Sequence, residues 1–244
     1  MVDNQQQEAW DRLQRKVLFD AFAALAKNLC APVFWRKKDG RMTNGTVTFL
    51  QTPVEVLGVT NSHVANEALS NHDGQGLQLG AARLDPSRLI AHHPTLDLAT
   101  FHLSDVFLAT SGHTASTLPV WPPVPPLEGE PVLFGGYPGA YRTLLPGAVD
   151  FSGTWFGAVV ASVSENSVGM VLDLERSESF SPRRVPPHAE LGGCSGGPVF
   201  RIVDSNGIEH LELAAIIYEC SSDYEIMRAH TLKSLAEDGT FADS

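Results

Sequence analysis

The stretch Gly192-Gly193-Cys194-Ser195-Gly196-Gly197-Pro198 places one hydroxyl between two pairs of glycines and closes on a proline. Glycine has no Cβ, so the backbone on both flanks of Ser195 can approach another chain closely and can enter turns closed to other residues. A nucleophile on a tight turn needs that access. Such a turn can also aim the N–H groups of Gly193 and Ser195 at one point, where they would hold a developing oxyanion. The bland alternative is a glycine-rich hairpin turn with an incidental serine. The two are separated by whether the chain also supplies a base and a carboxylate to orient it.

Working outward, both are present. Leu57-Gly-Val-Thr-Asn-Ser-His63-Val-Ala-Asn66 reads as an apolar strand ending in a histidine. Asp97 lies in His93-Pro-Thr-Leu-Asp-Leu-Ala-Thr-Phe101, at the start of another strand. Histidine or aspartate at a strand end is common, so neither signal is specific alone. The three together are.

The rest of the chain reads as β structure. Of its 244 residues 43% are hydrophobic and only 18% charged, with 21 Gly and 16 Pro, which argues against a coiled coil or helical bundle. Short runs rich in Val, Thr and Phe recur: 33–36, 45–50, 54–60, 77–83 and 98–103, then 131–134, 155–163, 168–174, 198–203, 211–218 and 225–229. Pro-rich residues 118–126 separate the two series and cannot sit in a central strand. The division expected is an N-terminal helix over 1–30, a first β-barrel over 31–117, a linker over 118–130 and a second barrel over 131–244. The helical period of residues 5–29 (Trp10, Leu13, Val17, Phe22, Leu25, Leu29) predicts an amphipathic helix packed on its own domain or offered to a regulatory protein. A short helix is expected over 231–237.

The order His63, Asp97, Ser195, with the motifs Val59-Thr-Asn-Ser-His-Val64, Leu96-Asp-Leu-Ala99 and Gly193-Cys-Ser-Gly-Gly-Pro-Val199, resembles the trypsin-like, chymotrypsin-fold serine peptidases. It is most similar to their short bacterial forms without disulfides. The resemblance covers roughly residues 31–237 and includes the glycine-rich Gly135-Gly-Tyr-Pro138. It implies an all-β chain of two six-stranded antiparallel barrels with the site between them. His63 would be the general base, Asp97 its orienting partner and Ser195 the nucleophile. The Gly193 and Ser195 amides would form the oxyanion hole, and the substrate would be a protein or peptide. Ala189, Glu190, Glu219 and Cys220 would line the pocket for the side chain preceding the cut, the two carboxylates favouring Lys or Arg there.

The chain also departs from the family pattern. Cys194 stands where secreted members carry an aspartate that pairs with a newly released N-terminus, so no proteolytic maturation is expected. Cys194 itself is expected to be inert and inward-facing. Tyr218-Glu219-Cys220 replaces a Ser-aromatic-Gly run, which points to the Tyr218 hydroxyl as a bond to Asp97. The alternatives to a free-standing enzyme are a pseudoprotease acting by binding and a protease silent until a partner docks on the N-terminal helix.

A net charge of −11 disfavours nucleic acid and anionic membrane as partners. The basic run Arg36-Lys37-Lys38 before Asp39-Gly40 reads as a solvated hairpin tip. Three cysteines with no CxxC pair predict neither a disulfide framework nor a structural zinc site. His92 and His93, adjacent and facing opposite ways in a strand, predict surface positions and no metal. No cofactor is expected. No leader-like or membrane-spanning apolar run is visible, so the chain reads as cytoplasmic.

Overall fold

The computed structural model describes residues 4–13, 16–71, 77–171, 191–221 and 226–242. Two helices, α1 (Asn4–Leu13) and α2 (Lys16–Asn28), lead into the first strands: β1 (Cys30–Arg36), β2 (Met42–Gln51), β3 (Val56–Thr60), β4 (Leu77–Leu79), β5 (Ala82–Leu84), β6 (Leu89–His93), β7 (Leu98–Leu103) and β8 (Ser116–Thr117). Helices α3 (Ser62–Asn71) and α4 (Asp105–Ser111) follow β3 and β7. The second series is β9 (Pro131–Gly136), β10 (Arg142–Leu145), β11 (Ala148–Phe151), β12 (Thr154–Val163), β13 (Ser167–Val171), β14 (Pro198–Ser205), β15 (Ile208–Ser221) and β16 (Ile226–Thr231).

The second series closes a six-stranded antiparallel barrel in the order β12-β13-β16-β15-β14-β9. The first does not close. It is a curled sheet, β5-β4-β1-β2-β3-β7-β6, with β8 added parallel to β2. The expected all-β, chymotrypsin-like fold is thus the one observed, its first half a curled half-barrel and its second a closed barrel. The single strand expected over 77–83 is a hairpin of two three-residue strands broken at Gly80, whose φ of +56° suits glycine.

β2 explains how the two halves meet. Residues 45–50 are all buried, although alternate side chains leave on opposite faces. Val47 and Phe49 enter the core of the curled sheet with Trp35 and Phe101. On the opposite face, Thr46 and Thr48 turn their hydroxyls to the second barrel, and Leu50 joins a core shared with Leu133, Trp155 and Phe200. That shared core also takes Ala9 and Leu13 of α1 and Phe19, Phe22, Ala23 and Ala26 of α2. The contact is close at Gly157, where a Cβ would sit 2.9 Å from Leu13 Cδ2 and push that side chain aside. Ala9, Leu13, Phe19, Phe22, Ala23 and Ala26 are thus buried on their own chain while Leu25 is exposed, and the described residues 4–13 and 16–28 are helical as expected.

The β1–β2 turn is the expected basic tip. Gly40 has φ +84°, Asp39 accepts from the Arg41 amide at 3.0 Å, and Arg36 and Lys38 are exposed. The short C-terminal helix is not formed. After Thr231 the chain makes two tight turns (Leu235 N to Leu232 O, 3.1 Å; Gly239 N to Ala236 O, 3.1 Å) and doubles back through a Leu235–Phe241 bridge. Gly239 at φ +79° reverses the chain, which lets Leu232, Leu235 and Phe241 all reach the shared core.

Candidate active site

His63 is the second residue of α3, beyond the end of its strand. Its backbone N–H, one of those left unpaired at a helix start, donates to Asp97 Oδ1 at 2.8 Å, and its Nδ1 lies 2.5 Å from Asp97 Oδ2. One carboxylate therefore fixes both the helix end and the ring. Asp97 adopts φ +48°, uncommon for a residue with a Cβ. Its carbonyl is held from two sides, by Ser62 N at 3.0 Å and Asn61 Nδ2 at 2.9 Å. The Ser62 hydroxyl adds a 2.6 Å bond to the Leu98 carbonyl. The tripeptide Asn61-Ser62-His63 thus grips the Asp97 turn by backbone and side chain together. The His63 side chain remains half exposed.

Ser195 reaches the same cleft through β2. Its carbonyl accepts from Thr46 N at 2.8 Å. Gly45, the preceding residue, lies between the two groups: a Cβ there would meet Val64 Cγ1 at 2.5 Å and the Ser195 carbonyl oxygen at 3.4 Å. The structure therefore brings together the loop of Ser195 and the helix of His63, with His63 bound to Asp97.

Most of the glycines around Ser195 serve packing more than access. A Cβ at Gly196 would lie 1.9 Å from the Thr46 carbonyl oxygen, and one at Gly197 2.0 Å from that of Gly135. Only Gly192 faces open space. Gly193 has φ +104°. The Gly192 carbonyl accepts from Gly139 N at 2.7 Å and the Cys194 carbonyl from Gly197 N at 2.8 Å. In a trans peptide the N–H points opposite the C=O. Fixing those two carbonyls points the Gly193 and Ser195 N–H groups opposite to Gly139 and Gly197, and among the described residues neither donates to a protein acceptor.

Cys194 is buried in the barrel core beside Leu191, Val199 and Met227, and burial pushes its thiol far above the ordinary range. Cys220 is partly buried, and burial followed by the neighbouring Glu219 charge raises its thiol to about 11. Neither cysteine is poised as a thiolate at neutral pH. Cys30, Cys194 and Cys220 are all free.

Of the expected pocket residues, Ala189 and Glu190 lie outside the described residues. Glu219 and Cys220 follow Ile217, which pairs with the Ser195 loop through Ile217 N to Gly197 O and Gly196 N to Ile217 O. Glu219 is exposed and ion-paired with Arg228 at 2.9 Å. The Tyr218 hydroxyl makes no bond to Asp97; its ring instead stacks on His230 at 3.8 Å and 16°. His92 is exposed as expected, but His93 is buried, packed edge-on to Phe241 and accepting from Leu96 N at 3.3 Å.

Sequence reasoning missed the residues that hold the Ser195 loop, Thr46 and Thr48, and Asn44 beside them, which holds Tyr137, all on one face of β2. Their spacing of two, with polar side chains in an otherwise buried strand, is the signal that could have found them.

Residues 44–206 match the family model of the trypsin-like peptidase domain. No curated protein matches. Among solved structures, a protease of M. tuberculosis in its active form aligns at 17% identity over 89% of this chain and 82% of that one, TM-score 0.46. A serine endoprotease of Yersinia pestis aligns at 16% over 87% of this chain and 62% of that one, TM-score 0.48. The structure of GrC aligns at 13% over 86% and 92%, TM-score 0.50. At these identities the likenesses concern fold alone. The family match spans most of the chain and contains both His63 and Ser195, and the chain accordingly belongs to the trypsin-like peptidase family as a serine endopeptidase of chymotrypsin-like fold.

Proposed function

We propose that the chain hydrolyses peptide bonds through His63, Asp97 and Ser195 by way of an acyl-enzyme. The observation that carries this reading is the pair of hydrogen bonds from His63 to Asp97, the backbone N–H donating to Oδ1 at 2.8 Å and Nδ1 lying 2.5 Å from Oδ2. A ring held at Nδ1 presents Nε2 to the cleft, where it takes the Ser195 proton as Oγ attacks the substrate carbonyl. The imidazolium then gives the proton to the leaving amine as the C–N bond breaks; a water next gives a proton to Nε2 as it attacks the ester carbon, and that proton passes to Ser195 Oγ as the acid leaves. The Gly193 and Ser195 amides hold the oxyanion. The test is cleavage of an unfolded protein substrate by the full chain and by its Ser195→Ala variant. Turnover by the first and none by the second is expected; equal turnover by both would defeat the assignment.

The favoured side chain before the cut is less tightly constrained. Arg228 neutralises Glu219, so a basic preference depends on Glu190. The partly buried Cys220, packed on the cluster of Leu191 and Met227, favours an apolar side chain instead. A peptide-library profile separates the two by enrichment of Lys and Arg or of Leu, Ala and Val. The three free thiols support a reducing, cytoplasmic setting. No described helix is long and apolar enough to cross a membrane. A regulatory protein docking on the N-terminal segment would meet exposed Leu25 and the polar face, since Leu13, Phe19 and Phe22 are already buried on this chain.

A further inference from the structure

We infer that the Thr46 hydroxyl is a positioning group that locks the oxyanion loop in its working conformation, in place of an ionic latch. The inference rests on the peptidase reading above and adds a residue to it.

The loop cannot be held by charge at position 194. Cys194 is buried among apolar side chains and offers no carboxylate. Besides the backbone bonds from Gly139, Leu191 and Ile217, the groups that hold it come from β2. The Thr46 Oγ1 donates to the Gly193 carbonyl at 2.8 Å and accepts from Tyr137 N at 3.1 Å. The same residue's N–H holds the Ser195 carbonyl at 2.8 Å, and its own carbonyl is fixed by the Thr60 hydroxyl at 2.6 Å. Thr46 is fully buried, so water cannot substitute for any of these bonds. One side chain therefore joins the loop to the start of the second barrel at Tyr137, where Asn44 Nδ2 also donates to the Tyr137 carbonyl at 2.7 Å.

The consequence follows from peptide geometry. The Gly193 carbonyl belongs to the peptide between the two that carry the oxyanion N–H groups. Glycine at φ +104° has a second, extended basin close in energy, so Gly193 is the residue about which the loop can turn. Such a turn would carry the Gly193 carbonyl off the Thr46 hydroxyl and leave both a buried donor and a buried acceptor unpaired. The hydroxyl thus favours the conformer in which both amides face the cleft. It touches no substrate atom. Its effect falls on the transition state, where oxyanion charge develops, and not on ground-state binding.

The experiment compares full-length Thr46→Val, an isostere without the hydroxyl, with wild type on a cleavable peptide. We expect kcat to fall about 10–100-fold, less than the full loss of an oxyanion donor, with KM within about threefold. Affinity for a peptide boronic acid, which mimics the tetrahedral state, should fall in proportion to kcat/KM, a readout that simple destabilisation would not move. The pair Thr46→Ser and Thr46→Ala, which both lack the methyl and differ only in the hydroxyl, makes the same comparison should the valine variant not fold. Serine should restore kcat and boronate affinity, and alanine should not. Serine and alanine variants of equal kcat and equal boronate affinity would overturn the inference while wild-type cleavage leaves the peptidase reading standing. A wild-type chain that neither cleaves nor binds the boronate would remove both.

Discussion

Ser195 and Cys194 are adjacent in sequence and opposite in environment. Ser195 is partly buried with its carbonyl tied to β2, whereas Cys194 points into the barrel core with its thiol kept protonated by burial. Ser195→Ala or His63→Ala should each lower kcat roughly 10⁶-fold, as for groups that act as a unit. Cys194→Ala should keep cleavage activity and lose only stability. Iodoacetamide that inactivated native enzyme through Cys194 would reverse that assignment. Much of this was legible in sequence: glycine spacing marked Ser195, and motif context marked His63 and Asp97. The positive φ of Asp97 was not, because it depends on a tripeptide 34 residues away in the chain closing on its carbonyl. Nor was the ion pair of Glu219, because Arg228 reaches it only through the β15–β16 register.

At the scale of elements, α1 and α2 are part of the core and not an appendage. Leu13 fills the space over Gly157, and Phe19 and Phe22 join the same cluster as Leu57 and Trp155. Leu13→Ala should cost roughly 2–4 kcal/mol by urea unfolding. Removal of residues 1–29 should yield an unstable chain without activity, so maturation by trimming there is not expected. A truncated form more active than the full chain would contradict this. The helical period of 5–29 was readable from hydrophobic spacing, but its partner was not, since an amphipathic face records that it is covered and not by what. Likewise α3 was hidden behind the strand reading of 57–63. The C-terminal turns were hidden because Leu232, Leu235 and Phe241 meet only once Gly239 reverses the chain.

For the whole molecule, the two halves differ in closure, and β2 of the open sheet meets the closed barrel through the Thr46 and Thr48 hydroxyls on the Ser195 loop. Open sheet and closed barrel have similar strand counts in sequence, so closure had to come from pairing. Stability should also carry a pH signature. His113 and His230 are both held below the ordinary imidazole range, chiefly by burial. The folded chain then binds fewer protons than the unfolded one below the unfolded value of about 6.5. Stability is fully present above that value and falls as pH drops toward the folded values. Tm should decline between pH 7.5 and 5.5, and His113→Gln should flatten part of that slope. A Tm that rose on acidification across this interval would refute the assignment.

The most direct test of the central claim is to treat the native, full-length chain with a fluorophosphonate and map the adduct by mass spectrometry. A single adduct on Ser195, lost in His63→Ala and on unfolding, is the predicted result. No adduct on the native chain, or one equally formed on other serines and insensitive to His63→Ala, would contradict it.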